Sequence, residues 1–414
     1  MSKHTAPSSE TQSTPPISTP GHLLANIPGI LGFYPTESVV FMALDATPRG
    51  TAIGPLVRID LKDAHGSVPP MMAEALRNCA EGVFAFVITQ GLTAALERTA
   101  EWLYGLDADT DGLEVDAAWW AESIAQGEPY QLLHGVVSPE GEGPMKNWVS
   151  GTVAALTSAP SMLRCVDRNV LPSLSRSEHF SIFERRNPHV SVEEAAALAR
   201  AARTRAHDLR ALVDEARPRL RNAADKEVTH KTTTGGASAE ETTRETAQER
   251  KERILQDFLA DVQWWISRSG ELGEVLAEEE LLSECAMWLS TTWTRDLVIE
   301  EFVEAGEQGA SLLLAAVRTF GGTIRANALC LFAVVQLDSD WDIFAGPALR
   351  TAAEEFPEHR LASLLVRAYH AGLGAEIRTI VRSGGELARK AAVEGTSSRC
   401  SSGEPNELYR RAAG

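Results

Sequence analysis

Four polar residues near the N-terminus of this 414-residue chain have the types and spacing to work together: Glu37, Ser38, Arg58 and Asp60. Glu37 and Ser38 directly precede the apolar run Val39–Leu44, and Arg58 and Asp60 lie in a second run, Leu56–Leu61. Pro48-Arg49-Gly50 between the runs is turn chemistry, so the two strands should pair as an antiparallel hairpin. Side chains alternate along a strand, which puts Leu56, Arg58 and Asp60 on one face and Val57, Ile59 and Leu61 on the other. The hairpin then brings Arg58 and Asp60 beside Thr36, Glu37 and Ser38. Carboxylates next to an arginine and a hydroxyl can bind a polar ligand or exchange protons. The same groups can instead form an ion pair that holds a loop. If the strand expected at Gly112–Asp116 extends that far, Trp119-Trp120 send one ring to each side of the sheet. Trp120 is then a candidate ligand wall, with core packing of both rings as the other reading.

The elements that position these residues follow from the apolar pattern. The stretch that opens at Leu23 reads as a short apolar helix that runs into a Gly/Pro loop and then straight into the strand. Val39–Leu44 is apolar at every position, as expected for a strand covered on both faces. Further strands are expected at Val83–Thr89, Gly112–Asp116 and Tyr130–His134, with helices at Met71–Cys79 and Leu92–Tyr104. Strand–helix–strand alternation implies parallel crossovers. The expected fold is an α/β N-terminal domain with a mixed, mostly parallel sheet, followed by an all-α helical-hairpin C-terminal domain. Residues 1–20 form a disordered Ser/Thr/Pro tail, 21–188 the α/β domain and 189–224 an Ala/Arg-rich helix. Residues 225–250 form a flexible linker, 251–392 the helical domain and 393–414 a second disordered tail. Ser191 and Glu194 make a capping box for the Ala/Arg-rich helix. Seven further helices are read between Arg253 and Ala371. The arginines at 200, 203, 205, 210, 217, 219 and 221 suit a phosphate or an acidic partner. In a chain this acidic, salt bridges with the protein's own carboxylates are the favoured reading.

Several chemistries lack their residues. The chain has no G-x-S-x-G elbow, no phosphate-binding G-x-x-x-x-G-K-[ST] loop, no strand-linked G-x-G-x-x-G and no H-E-x-x-H. His359 and His370 flank one expected helix too far apart to share a metal. The five cysteines are scattered and include no C-x-x-C, which fits reduced thiols in a cytoplasm and argues against a structural zinc. No cofactor or metal is expected. A formal charge of -18 disfavours general nucleic-acid binding. No apolar run approaches the roughly 18 residues of a membrane span, and residues 1–20 do not resemble a secretory signal.

Leu-Leu-x-x-Ile-Pro-x-Ile-Leu-Gly-Phe-x-Pro-x-x-Ser-Val-Val, Leu23 to Val40, resembles the opening signature of domain of unknown function 4192, an uncharacterised actinobacterial family. Further segments resemble that family in the same order: Arg58–Leu61, Val115–Trp120, Pro139–Gly141, Arg295-Asp296, Arg325–Leu331 and Pro357–Leu365. Many members carry a Cys-Cys pair where this chain has residues close to Val136-Val137, so a thiol role for that pair cannot operate here. The resemblance implies a soluble bacterial protein and supplies no activity. The stretch Ala348–Ala362 looks like a join between tetratricopeptide helices, without a clear repeat near 34 residues.

Two functions follow as expectations. One is a non-enzymatic interaction or regulatory scaffold that binds a protein partner through its C-terminal helices. The other is a ligand-binding protein or atypical enzyme with its site at the Gly32–Ser38 loop and the Arg58/Asp60 strand end. The missing catalytic motifs lean toward the first.

Overall fold

The computed structural model describes residues 18–47, 50–66, 82–91, 94–106, 112–135, 146–167, 170–216, 246–337, 342–371 and 373–394, with Val68, Ala73 and Leu76. The expectations for Pro48-Arg49, Pro139–Gly141, Cys79, Cys400, most of the 225–250 linker and most of both tails lie outside these residues. Of the helix expected over Met71–Cys79, Ala73 and Leu76 are described, and both are helical and buried. The chain divides into two compact units between Ile182 and Phe183, with His370–Gly372 grouped with the first.

The first unit is a six-stranded sheet in the order β2-β1-β3-β4-β5-β6. Its strands are β1 Ser38–Thr47, β2 Gly50–Asp60, β3 Gly82–Ile88, β4 Ala117–Ala121, β5 Pro129–Gly135 and β6 Ser150–Thr152. The helices are α1 Pro20–Leu31, α2 Ala94–Tyr104, α3 Lys146–Val149, α4 Pro160–Asp167 and α5 Arg176–Ser181. The sheet is mixed, but it is mostly antiparallel, not mostly parallel. Only β3 and β4 run parallel; the β1–β2, β1–β3, β4–β5 and β5–β6 pairs are antiparallel. The reason is local. A parallel neighbour needs a long crossover, and α2 supplies one between β3 and β4. The connections between β1 and β2 and between β4 and β5 are too short for a crossover, and β3 enters on the free side of β1 in the opposite sense.

The continuous apolar run in β1 has the expected cause. Val39, Phe41 and Ala43 join one core cluster with Leu96 and Leu103 of α2. Val40 and Met42 join the other with Leu23, Leu24 and Ile27 of α1 and Met162 of α4. Both faces of β1 are therefore covered by apolar groups, and polar alternation would bury unpaired groups. The fourth strand starts directly after the segment that the pattern suggests. Leu113 and Val115 are buried as expected for strand residues, but in a loop, and the strand itself is Ala117–Ala121.

The second unit contains ten helices among the described residues. They are α6 Val192–Glu215, α7 Ala247–Ser267, α8 Leu272–Ala277, α9 Glu279–Leu289, α10 Thr292–Ala305, α11 Glu307–Thr319, α12 Gly322–Gln336, α13 Ala345–Glu355, α14 Arg360–His370 and α15 Gly374–Glu394. The capping box at Ser191 and Glu194 forms as expected. A second box, Thr246 and Glu249, starts α7 several residues ahead of the apolar periodicity. α12 is buried on every side from Ile324 to Gln336, which identifies it as the central helix of the unit. α15 runs along α10, where Arg382 pairs with Glu300 at 2.8 Å and Arg389 donates to the Leu297 carbonyl at 2.8 Å and to Glu300 at 2.9 Å. Among the described residues, no helix is long and apolar enough to cross a membrane.

Candidate functional site

The loop between α1 and β1 is fixed at both ends. Gly32 ends α1 in the left-handed conformation (φ 78°), and its N–H donates to the Pro28 carbonyl. A Cβ there would lie 2.4 Å from the His179 ring, so the position admits only glycine without rearrangement. The Tyr34 N–H donates to the Ser173 carbonyl, and the Ser173 N–H to the Gly32 carbonyl. Two-sided bonding to Ser173 holds the loop against its own unit.

All five residues singled out in the sequence gather at one end of the sheet. Ser38 faces Asp60 on β2 and Ile88 on β3. Its buried hydroxyl donates to the Thr36 carbonyl at 2.6 Å and accepts from Arg58 Nε at 2.8 Å. Arg58 Nη2 donates to Asp60 Oδ1 at 2.6 Å. Arg176 Nη1, from α5, stands 3.8 Å from Asp60 Oδ2. Burial raises the Asp60 carboxyl, but the Arg58 bond and the charges of Arg58, Arg176 and Lys62 outweigh it and hold the group below its ordinary range. Asp60 is therefore an ionised acceptor, unsuited to donate a proton near neutrality.

Glu37 points to the other side of the same strand end. It is the one non-glycine residue with positive φ (43°) among the described residues. Its carboxylate accepts from the Thr89 hydroxyl at 2.9–3.0 Å and from the Gln90 N–H at 3.2 Å, while the Leu61 N–H donates to its carbonyl. Trp120 joins through Thr89, whose carbonyl accepts the indole N–H at 3.0 Å. The two tryptophans do take opposite faces: Trp119 packs in the α1 cluster and Trp120 against the α2 cluster. The result is two short bonded chains, Arg176–Asp60–Arg58–Ser38 and Glu37–Thr89–Trp120, that staple β1 to β2 and to β3. Among the described residues, no group of three or more His, Cys, Asp or Glu side chains could hold a metal.

The other expected features disperse. Arg205 pairs with Glu284 of α9 at 2.6 Å, and Arg210 lies near Asp214 and over the Trp293 ring. Part of the basic character of α6 is thus answered by the chain's own groups. Trp264 is half exposed with Arg268 stacked on it.

One arrangement had no counterpart in sequence spacing. Arg325, on the central helix and 3% exposed, forks onto the Glu355 carboxylate with Nε and Nη2 at 2.6 and 2.5 Å. Its Nη1 donates to the Phe183 carbonyl at 2.8 Å and the Val317 carbonyl at 2.6 Å. Nearby, Arg295 reaches Asn327, and Asn327 reaches His359. The segments that carried the family resemblance thus assemble into two groups. Leu23–Val40, Arg58–Leu61 and Val115–Trp120 meet at the sheet end. Arg295-Asp296, Arg325–Leu331 and Pro357–Leu365 meet around α12.

A sheet covered on both faces, joined to a unit built around one buried helix, defines an α/β-plus-helical protein whose candidate site is tied together by internal bonds. The family model for a domain of unknown function, DUF4192, matches residues 20–376, and the chain belongs to that family. No curated protein and no solved structure matches it.

Proposed function

We propose that this chain is a non-enzymatic interaction or regulatory scaffold of the cytoplasm, docking a protein partner through its helical unit. One observation carries the proposal: the hydroxyl, guanidinium, carboxylates and indole N–H at the sheet end bond to one another and to adjacent backbone. A ligand there would have to break bonds that hold three strands in register. The helical unit meanwhile presents Trp264, Leu364 and Leu387 to solvent, 44–67% exposed, and exposed apolar groups are the raw material of interfaces. Cys165, Cys285 and Cys330 are buried thiols, which supports a reducing compartment.

The test is a photo-crosslinking residue placed in turn at Trp264, Leu364 and Leu387, and at Leu171 and Leu174 of the sheet unit, which are also exposed. Irradiation in the native cell should give one defined heteromeric adduct from the helical positions and none from Leu171 or Leu174. Adducts confined to Leu171 and Leu174 would move docking to the sheet unit and overturn the assignment.

A further inference from the structure

The polar cluster around α12 has a form that an ordinary helical core does not need. Arg295, 7% exposed, donates from Nε and Nη2 to Asp296 Oδ1 and from Nη1 to Asn327 Oδ1 at 2.9 Å. Asn327 is fully buried, and its Nδ2 donates to the Leu289 carbonyl at 2.8 Å. That bond fixes the amide orientation, so Oδ1 is an acceptor. His359 Nε2 lies 3.1 Å from this same Oδ1 and must therefore carry its proton. His359 Nδ1 is then a lone pair. It accepts the Ala362 N–H at 3.3 Å and lies 3.8 Å from the buried Cys330 thiol.

His359 immediately precedes α14, and the Ser363 N–H donates to its carbonyl. The imidazole thus caps the helix in the way a Ser or Asp side chain caps others. A cap of this kind works only while the ring is neutral. A proton on Nδ1 would face the Ala362 N–H and the positive end of the helix, and would add a second cation beside Asn327, opposite Arg295. Arg295, paired with Asp296, acts on the ring from α10, and the Cys330 thiol lies beside it on α12. Glu358 and Arg360 flank it on its own turn, and Glu355 at the end of α13 is held by Arg325.

We propose that His359 is a proton-sensitive latch: protonation releases the first turn of α14 from α12. Burial, and then the Arg295 charge, lower its pKa below the ordinary 6.5. The sign follows. The stabilisation is complete above about pH 6.5, where both folded and unfolded rings are neutral, and declines as the pH falls below it, because only the unfolded or unlatched ring takes up the proton. Asp60, Glu194 and Glu300, whose carboxyls are held low, lose their contributions only in more acid solution, below about pH 4.5. His134 in the sheet unit is also lowered, by its own burial, and burial raises the carboxyls of Asp296 and Glu301, so a global melting curve mixes these groups with His359. A local readout separates them.

Hydrogen exchange of the full chain, corrected for the intrinsic rate and followed on peptides spanning residues 356–366, reads the latch directly. Between pH 7.5 and 5.5 the opening of this segment should rise up to about tenfold, the limit for one proton over one pH unit below 6.5. Peptides of α9 should not change. His359→Asn keeps a capping acceptor and cannot titrate, so its exchange should be independent of pH across this range. His359→Ala should be open at both pH values. A pH-independent wild type, or a step of the same size in His359→Asn, would overturn the latch.

Discussion

Replacing Arg325 with methionine should destabilise the protein by about 3–5 kcal/mol, the cost of breaking a buried charged network from one side. The magnitude is set by what is left behind. Glu355 is 41% exposed and can recover water, but the Phe183 and Val317 carbonyls lose their donor. Each buried acceptor left unmet costs roughly 1–3 kcal/mol. Methionine fills most of the stem's volume, so the loss reports the guanidinium and not a cavity. Urea unfolding of the wild type and variant measures it. Arg350→Ala is the control, because Arg350 and Glu354 are an exposed i,i+4 pair whose loss should not shift the curve measurably. A change below about 1 kcal/mol for Arg325→Met would show that the fork does not tie α12 to α13 and the Phe183 segment.

The second large effect is expected at Arg58. Arg58→Ala should cost about 2 kcal/mol, within the range of one or two hydrogen bonds that involve a charged group. Arg58 is 12% exposed and Asp60 33% exposed, so solvent screening reduces the ionic part. The variant leaves the Asp60 carboxyl with Arg176 at 3.8 Å and the Ser38 hydroxyl with only the Thr36 carbonyl. The Asp60 carboxyl should then titrate nearer its ordinary 3.8. Since a lowered carboxyl stabilises above its unfolded pKa and loses that contribution in acid, the gap between wild type and variant should narrow as the pH falls below about 3.8. Narrowing with acid is the sign of the ion pair; a constant gap across pH would assign the loss to the Ser38 bond and the packing of the arginine stem.

The sheet-end cluster was legible because it depends on local rules. Two apolar runs with a turn between them give a hairpin, and strand alternation then decides that Arg58 and Asp60 share a side with Ser38. What alternation leaves open is whether such groups face a ligand or one another. That depends on Arg176, Thr89 and Ser173, which come from distant parts of the chain. Sheet direction failed for a related reason. Strand–helix alternation specifies a parallel pair only where the helix crosses between neighbouring strands, as α2 does between β3 and β4. In the helical half, periodicity finds α9 at its own boundaries, Glu279–Leu289, because its apolar face is continuous. It names no helix in the segment of α15. That helix carries Gly384-Gly385 at its middle, which propensity disfavours; tertiary packing holds it, with Gly385 against the Asp296 carbonyl and Ile299. The Arg325 fork and the His359 cap were hidden for the same reason as Arg176. A buried arginine looks in sequence like any surface arginine until the carbonyls it serves are known.

The claim at the centre of this account is that the sheet end is a structural lock. A thermal-shift screen of the wild-type chain and the Arg58→Ala/Asp60→Ala variant against metabolites and nucleotides tests it most directly. The variant should melt at a lower temperature, and no compound should stabilise the wild type through these residues. A compound that raises the wild-type melting temperature and leaves the variant unchanged would contradict it, and would make the Gly32–Ser38 loop a ligand site.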